Sequence, residues 1–340
     1  MTNRIIYTFV AITFLLFTAA PEVFAQNSDD EAADRLEEVL KTERLQVGML
    51  LQSVGVFSMK DDGFNGGRRY QLGATRLDLR GTLASNFVYR LQTDFRNSPS
   101  VIDAQVGYVF SDQFRLVAGM FKPFLSADLD PGPGDTDFIN RARLVGTMMN
   151  SREIGLTAIG NSGDFNYAIG MYNGLGRTTA NDDRFLYTVR LGYTAESDNG
   201  TFDFAFNGAL NSTQAEPVGN TGLVSAGDRL IYGGFVKYDS DTFFGTAEFL
   251  QTNFDLQNLA ADETITGFYL TLGNKITERD ELLARWDHIS YDFLDTASNK
   301  IVLGWNHVLA RYMELQVNFL AQFEEGEESF GFSGNLQFMF

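Results

Sequence analysis

The amino-acid sequence predicts an all-β protein, a transmembrane antiparallel β-barrel of about 16 strands with short periplasmic turns and long extracellular loops. Three observations favour this fold class. Successive segments of about ten residues alternate between apolar and polar side chains, as barrel strands do. The chain is rich in aromatic residues and glycine, with 31 Phe, 13 Tyr and 33 Gly. Beyond the N-terminus, no stretch reaches the roughly 18 continuous apolar residues of a membrane helix.

The first 25 residues have the pattern of a secretory signal peptide. Arg4 supplies a positive start, residues 5–20 form an apolar core, and Val23-Phe24-Ala25 provides a small-residue cleavage site. We therefore expect export and cleavage after residue 25, with the mature chain in the bacterial outer membrane.

Residues 26–44 form an acidic periplasmic leader. Two interpretations stay open at this point. Ala33, Leu36 and Leu40 share one helical face, which favours a short helix or a trimerising segment. The density of charge favours the other interpretation, a solvated, irregular leader.

From residue 45 to residue 340 the alternation has period two, which predicts the barrel itself. The last segment shows it best, because Phe330, Phe332, Leu336, Phe338 and Phe340 alternate with small or polar residues. The predicted strands are 45–59, 70–83, 86–97, 100–111, 113–122, 151–161, 164–173, 184–195, 201–211, 228–239, 242–254, 263–274, 279–291, 298–309, 312–323 and 329–340.

Short and long connections alternate between these strands, so both termini are expected in the periplasm. Proline cannot donate to a β-ladder and should avoid strand interiors. In agreement, every proline after the signal peptide falls in a predicted outer loop: Pro99, Pro123, Pro131, Pro133 and Pro217.

The longest connection, residues 122–150, is the third extracellular loop of this arrangement. Long loops in compact folds are usually functional or disordered. A loop folded into a wide barrel would narrow the channel and set its selectivity. The alternative is a loop exposed on the outer surface. The candidate constriction residues are Lys122, Asp135, Asp137, Arg141 and Arg143.

The alternation also assigns charged side chains to the lumen wall. The basic candidates are Arg76, Arg80, Arg90, Arg96, Arg115, Arg190, Lys237, Arg285 and Lys300. The acidic candidates are Asp78, Asp94, Asp103, Asp203, Glu248, Glu281, Asp287 and Glu314. A wall charged with both signs implies water, because unpaired buried charges are prohibitively costly. Sixteen strands leave room for an aqueous channel.

Several functional classes are disfavoured. A net charge of −18 makes nucleic acid an improbable partner. The chain has no cysteine, which argues against a disulfide-stapled secreted domain. We expect no cofactor and no metal site. His288 and Ser290 resemble part of a hydrolase site, but the alternation turns both toward lipid, and no Asn or Asp is expected on that face to orient the histidine.

Several segments resemble the phosphate-selective porin O and P family. The most specific is 117–124 (VAGMFKPF), which follows 103–108 (DAQVGY). The others are 89–95 (YRLQTDF), 138–141 (FINR), 152–155 (REIG), 303–306 (LGWN) and 336–340 (LQFMF). The similarity spans most of residues 45–340, although Phe124 stands where the family has a second proline.

The resemblance implies a sixteen-stranded, typically trimeric porin that passes small anions along a basic ladder. The predicted function is therefore passive diffusion of small hydrophilic solutes, including anions such as phosphate. The alternatives are a structural or adhesive surface barrel without a conducting pore, and a lipid-acting outer-membrane enzyme. The terminal Phe340 resembles the signal read by the barrel-assembly machinery. The expected partners are outer-membrane lipid and lipopolysaccharide, that machinery, two further copies of the chain, and small solutes or ions.

Overall fold

The computed structural model describes residues 29–59, 67–179, 181–324 and 326–340. The predicted signal peptide and the start of the acidic leader lie outside the described residues. The chain divides into two units, residues 1–43 and 44–340. In the first unit, helix α1 (Asp29–Leu40) occupies most of the described leader, as one of the two interpretations expects. No helix among the described residues has the length and apolar character needed to span a membrane.

The second unit contains sixteen β-strands. They are β1 (Gln46–Ser58), β2 (Arg68–Leu83), β3 (Phe87–Asp94), β4 (Ser100–Ser111), β5 (Phe114–Phe121), β6 (Glu153–Ser162), β7 (Phe165–Tyr172), β8 (Leu186–Ser197), β9 (Gly200–Pro217), β10 (Val224–Asp239), β11 (Phe243–Leu256), β12 (Asp262–Lys275), β13 (Asp280–Tyr291), β14 (Thr296–Ala310), β15 (Met313–Glu324) and β16 (Glu327–Met339). A short helix, α2 (Arg143–Met148), lies between β5 and β6.

The strands form a closed antiparallel barrel in sequence order, and β16 returns to pair with β1. The predicted fold class is confirmed. At the seam, Leu50 pairs with Met339 and Ser58 pairs with Gly331. The backbones of Met49 and Phe340 also exchange two hydrogen bonds. Because every strand is paired on both sides, no strand edge is left unsatisfied in a lipid environment.

The two ends of the barrel differ in their connections. At one end, named the turn end, every connection has two to four residues. The opposite end, named the loop end, carries the longer connections, of which residues 122–152 form the longest. The start of β1 and the end of β16 both lie at the turn end. Some loop-end connections are short, so Glu324, Glu327 and Glu328, which were expected in a loop, belong to β15 and β16.

Side chains alternate between the lumen and the outside, except where a bulge shifts the register of a strand pair, as between β1 and β2. In β16, Ser333, Asn335 and Gln337 are buried, whereas Leu336 on the other face is exposed. Large apolar side chains such as Phe206 and Trp286 are exposed on the outer face of other strands. An outer face of this kind is stable in lipid, where apolar exposure has no cost.

Strand β9 departs most from the prediction. It was expected to end at residue 211, but it continues to Pro217, which pairs with Val224 instead of lying in a loop. The extra segment contains Ser212, Thr213 and Gln214, so its alternation between apolar and polar residues is lost. A ladder can extend past the lipid-facing band, and there the hydrophobic pattern no longer marks the strand.

Candidate pore constriction

The connection between β5 and β6, residues 122–152, lies inside the barrel and is named the inner loop. Its middle is fastened by lumen-facing amide side chains from β1, β14, β15 and β16, named the amide row. Gln52 donates to the Pro133 carbonyl at 2.9 Å. The other members are Gln337, Gln316 and Asn306, which donate to the carbonyls of Gly134, Thr136 and Asp137, and Asn318, which accepts from the Ile139 amide, each at 3.0 Å.

A wall arginine of β8 forms a second type of attachment. Arg190 is ion-paired with Asp130 of the inner loop. Its guanidinium carbon lies 5.6 Å from the ring centre of Phe124 and 5.4 Å from that of Phe235. The side chain therefore combines an ion pair with cation–π contacts from the loop and from the wall.

Arg285 of β13 repeats the same arrangement. It donates to Asp128 of the loop at 3.1 Å. Its guanidinium carbon lies 4.6 Å from the ring centre of Phe138 and 4.8 Å from that of Tyr269. Arg190 and Arg285 are named the arginine clamps, because each joins a loop carboxylate and a loop ring to the wall.

The predicted constriction residue Arg143 is also fastened. Its backbone amide donates to Asp287 at 2.9 Å, and its guanidinium donates to the Ser298 hydroxyl at 2.6 Å. The same guanidinium reaches the carbonyls of Asp287 and Ser298. Arg143 therefore attaches the start of α2 to β13 and β14.

Apolar packing completes the attachment. Leu125, Leu144 and Met148 of the inner loop are buried against Leu250 and Ile265 of the wall. A second cluster places Phe138 against Phe244, Leu283, Val302 and Leu320. The first of these clusters fills the loop-end side of the lumen along β7–β13, so that side is not available to water.

One side of the lumen is different. Among the described residues, the only hydrogen bonds between the inner loop and β2, β3 or β4 are those from Arg152, its last residue, to Asp103 of β4. The lumen-facing side of these three strands is named the bare wall. Its bases pair with carboxylates of the wall: Arg76 with Asp94 at 3.4 Å, and Arg90 with Asp78 at 2.8 Å.

Two bases of the inner loop have no carboxylate partner among the residues that the structure describes. The Lys122 ammonium donates to the carbonyls of Leu129, Asp130 and Pro131 at 2.8, 3.1 and 2.6 Å. Arg141 donates to the same Pro131 carbonyl. The Nη1 atom of Arg141 is buried and has no hydrogen-bond partner among the described residues.

The charges of these groups respond to burial and to one another. Burial, reinforced by the cations Arg141 and Arg152, lowers the pKa of Lys122 to about 7. Burial also lowers the pKa of Arg141. Burial raises the pKa of Asp137, although the nearby Arg285 opposes the shift.

A cavity of about 630 Å³ lies between the inner loop and the turn end. Acidic residues outnumber basic ones along its lining. The acids are Asp128, Asp130, Asp135, Asp137, Asp203, Asp239 and Glu281, and the bases are Arg190, Lys237 and Lys275. Three of the acids are neutralised by Arg285, Arg190 and Lys275.

The sequence of this barrel matches the family model "Phosphate-selective porin O and P" over residues 48–220, just over half of the chain. The chain belongs to this family. The match begins in β1 and ends just after β9, so it includes the whole inner loop and the bare wall. The protein is therefore a porin, a channel-forming outer-membrane barrel. A comparison with curated protein sequences finds no match.

Solved structures support the same fold. An anion-selective porin from Comamonas acidovorans has a TM-score of 0.66 and 14% identity, covering 87% of this chain and 99% of that one. OprB of Pseudomonas putida has a TM-score of 0.67 and 10% identity, covering 94% and 100%. The trimer form of OmpT from Vibrio cholerae has a TM-score of 0.65 and 11% identity, covering 87% and 99%. At such identities the likeness concerns the fold alone.

The remaining predicted wall bases of the porin occupy different positions. Lys237 lines the cavity, and Lys300 faces the lumen from β14. Arg80 and Arg115 are exposed near the turn end on the bare-wall side. The predicted wall position of Arg96 is wrong. Strand β3 ends at Asp94, so Arg96 lies in the exposed connection to β4.

Sequence reasoning missed two groups. Arg152, at the end of the inner loop, forms a buried ion pair with Asp103 at 3.2 Å. The segment 152–155 was noted only for its resemblance to the family. The amide row was missed entirely, because a Gln or Asn on the inner face of a strand has no signal that separates an anchor from an ordinary polar residue.

The outer face also corrects one expectation. His288 and Ser290 do face outward, but Asn299 of β14 lies beside them, and its Oδ1 is 3.0 Å from Nδ1 of His288. An orienting amide is therefore present. A nucleophile must also lie within hydrogen-bond reach of its base, and no hydrogen bond joins Ser290 to His288 in the part of the chain that the structure describes.

Proposed function

We propose that this porin passes small hydrophilic solutes by passive diffusion, with weak selectivity between anions and cations, and that they cross between the inner loop and the bare wall. One observation carries the proposal. The loop is hydrogen-bonded or packed against most of the barrel, but in the part of the chain that the structure describes only its last residue, Arg152, bonds to the charged side of β2–β4. Water and solutes need such a polar, unfilled surface to cross.

The weak selectivity follows from charges of both signs beside this passage. Lys122 and Arg141 contribute positive charge without carboxylate partners. Asp135 is exposed on the same stretch of the loop and carries a negative charge. Nearby charges of opposite sign largely cancel for a passing ion, so neither sign of ion is strongly favoured.

Single-channel recording tests this proposal. The purified, refolded porin should conduct in a planar bilayer, and its reversal potential in a tenfold KCl gradient should lie far below that of an ideally selective pore. Asp135→Asn should shift the reversal potential toward anion preference, and Lys122→Gln should shift it toward cation preference. Absence of conductance, or strong selectivity in the wild-type channel, would contradict the proposal.

A specific preference for phosphate is the second candidate. Lys122 and Arg141 meet at one carbonyl without a carboxylate, and charged donors of this kind favour an anion. The phosphate-selective family and the anion-selective Comamonas porin point the same way. Inorganic phosphate would then block chloride current at low concentration, and Arg141→Gln would relieve the block. If inorganic phosphate leaves the chloride current unchanged, the preference for phosphate is wrong and only the proposal of a weakly selective channel remains.

The porin is further proposed to assemble as a homotrimer in the outer membrane, after export through its signal peptide. The trimer form of the Vibrio cholerae structure supports the trimer. Phe340 is the residue proposed to be recognised by the barrel-assembly machinery, and in the folded barrel it closes the seam with Met49 and contacts Tyr312. Phe340→Ala should lower the amount of folded trimer in the membrane fraction, whereas Phe330→Ala, elsewhere on β16, should not. Lipid and lipopolysaccharide are the proposed surroundings.

The proposed activity contains no catalytic step. Ser290 and His288 lack the contact that a nucleophile and base need. Phospholipid hydrolysis by the purified porin that disappears in Ser290→Ala would overturn this part of the proposal.

A further inference from the structure

A groove of about 850 Å³ crosses the outward face of the barrel and is named the outer groove. Its floor is low where the outward side chains are small, at Gly234 of β10 and Ala247 of β11. Exposed rings border this floor, because Gly234 pairs with Phe206 of β9 on one side and with Phe249 of β11 on the other. Side chains of cross-strand pairs share one face of the sheet. The surface therefore has an apolar channel that is open to lipid along its length.

The outer groove slopes along the barrel. It follows a row of paired residues that begins at Phe165, the first residue of β7 at the turn end, and passes Phe204 of β9. The row reaches Trp286 in the middle of β13, beyond its pair with Leu270. Since neighbouring strands lie about 4.8 Å apart, the part between β9 and β13 is about 19 Å long. The groove thus rises from the turn end toward the loop end, as an acyl chain of the loop-end leaflet would.

Polar side chains lie at the upper end of the outer groove. Trp286 Nε1 donates to Asn299 Oδ1 at 3.1 Å, and His288 Nδ1 is 3.0 Å from the same oxygen. An amide oxygen only accepts, so in the neutral ring the hydrogen is on Nδ1 and the Nε2 of His288 is an acceptor. The Nδ2 of Asn299 is a donor. Among the described residues, neither His288 Nε2 nor Asn299 Nδ2 has a hydrogen-bond partner.

The surroundings of this polar pair are apolar. The ring of His288 stacks on Phe268 with 4.9 Å between the ring centres. On the other side, Asn299 pairs with Phe323 of β15. A polar group that faces lipid without a partner is costly. A ligand that both accepts from Asn299 and donates to His288 would remove this cost.

We propose that the outer groove binds one acyl chain of lipopolysaccharide, and that His288 and Asn299 bind a hydroxyl group on that chain. A hydroxyl group donates and accepts, so it satisfies Nε2 of His288 and Nδ2 of Asn299 together. The acyl chains of lipopolysaccharide include hydroxylated ones, whereas the ester-linked chains of phospholipids offer only acceptors. The remainder of the chain lies on the low floor at Gly234 and Ala247. The barrel thereby holds one lipid at a defined place, apart from the passage of solutes.

Fluorescence of Trp286 tests the inference. The protein has two tryptophans, so Trp305→Phe leaves Trp286 as the only one. This parent variant, folded in detergent micelles, is titrated with lipid A, the acylated part of lipopolysaccharide, or with phosphatidylethanolamine. Lipid A should change the emission and saturate near one molecule per barrel, and it should bind at least fivefold more tightly than phosphatidylethanolamine. A response to lipid A that never saturates, or equal affinity for both lipids, overturns the inference.

Two histidine variants of this parent test the polar pair. His288→Phe removes the acceptor and keeps a ring against Phe268, so lipid A affinity should fall at least fivefold. His307→Phe is the matched control, because His307 also faces outward but bonds to Asp280 at the turn end. The control should bind lipid A as the parent does. Equal affinities of His288→Phe and His307→Phe for lipid A contradict the proposed role of His288.

A third variant tests the groove itself. Ala247→Phe fills the floor and should abolish saturable lipid A binding. Single-channel conductance should stay unchanged, because the groove lies outside the lumen, and this result also shows that the variant is folded. Lipid A binding that survives in Ala247→Phe overturns the inference. If the variant also falls apart from trimer to monomer, a neighbouring barrel occupies the groove in place of the lipid.

Discussion

The two halves of the lumen wall use the same residue types for opposite purposes. Along β8–β15, arginines such as Arg190 and Arg285 pair with carboxylates of the inner loop and hold it in place. Along β2–β4, Arg76 and Arg90 pair with carboxylates of the wall and not with the inner loop. An inward-facing arginine is therefore not by itself a solute-binding residue. Its partner decides whether it builds the constriction or lines it.

The largest expected effect separates the two halves directly. Arg285→Met removes an arginine clamp and leaves Asp128 buried without its cation, a change that typically costs about 3–5 kcal/mol. The inner loop should detach in part, so single-channel conductance should rise and the current should become noisy. Arg90→Met, on the bare wall, should keep the steady current of the wild type.

Equal disturbance of the current by Arg285→Met and Arg90→Met would remove the distinction between the two walls. A folded barrel is verified for both variants by its heat-modifiable migration on gels.

The next effect concerns two neighbouring arginines of the inner loop. Arg141 faces the proposed passage without a carboxylate partner, whereas Arg143 is fastened to Asp287 and Ser298. Arg141→Gln should move the reversal potential toward cation preference with a steady current. Arg143→Gln should mainly increase current noise, because an anchor is lost. The same potentials in both variants would show that Arg141 does not line the pore.

A smaller effect follows from the lowered pKa of Lys122. Its ammonium is charged below pH 7 and loses its charge as the pH rises through about 7. The reversal potential should therefore move toward cation preference between pH 6 and pH 8, by less than after Arg141→Gln. Lys122→Met should flatten most of this pH dependence.

The smallest effect is expected at the amide row. Asn318→Ala removes one neutral hydrogen bond, the one that its Oδ1 accepts from the Ile139 amide, which typically contributes about 1 kcal/mol, while the four other members remain. Brief openings to a higher conductance should become slightly more frequent. Gln322→Ala, whose side chain bonds to Glu324 and not to the loop, is the matched control. Identical traces from both variants would show that single members of the row are dispensable.

The strands could be predicted from the sequence because lipid imposes an alternation that local residues reveal. The aromatic face of the last segment indicated which side chains face the lipid, and Ser333 and Gln337 on the opposite face do point into the lumen. Prediction failed where lipid no longer acts on the chain, as in the extension of β9 to Pro217. The sequence therefore predicts which side chains face the lumen only in the part of each strand that crosses the membrane.

The sequence pattern did not predict which residues the lumen-facing side chains would contact. Arg190 and Arg90 have the same inward direction, but only Arg190 meets a loop carboxylate, which lies 60 residues away in the chain. Such a contact depends on how the inner loop crosses the barrel. No local pattern encodes that path, so clamps and passage residues looked alike before the fold was known.

The amide row also has a consequence for the evolution of solute selectivity in this channel. Four of its five bonds end on backbone carbonyls of the inner loop, and backbone carbonyls are present whatever the side chain. Mutations at Asp135 or Asp137 can therefore alter what the channel admits without releasing the segment that carries them. The solute selectivity of the channel can therefore evolve while the attachment of the inner loop is kept. Related barrels can differ in the solutes that they admit and still share one fold.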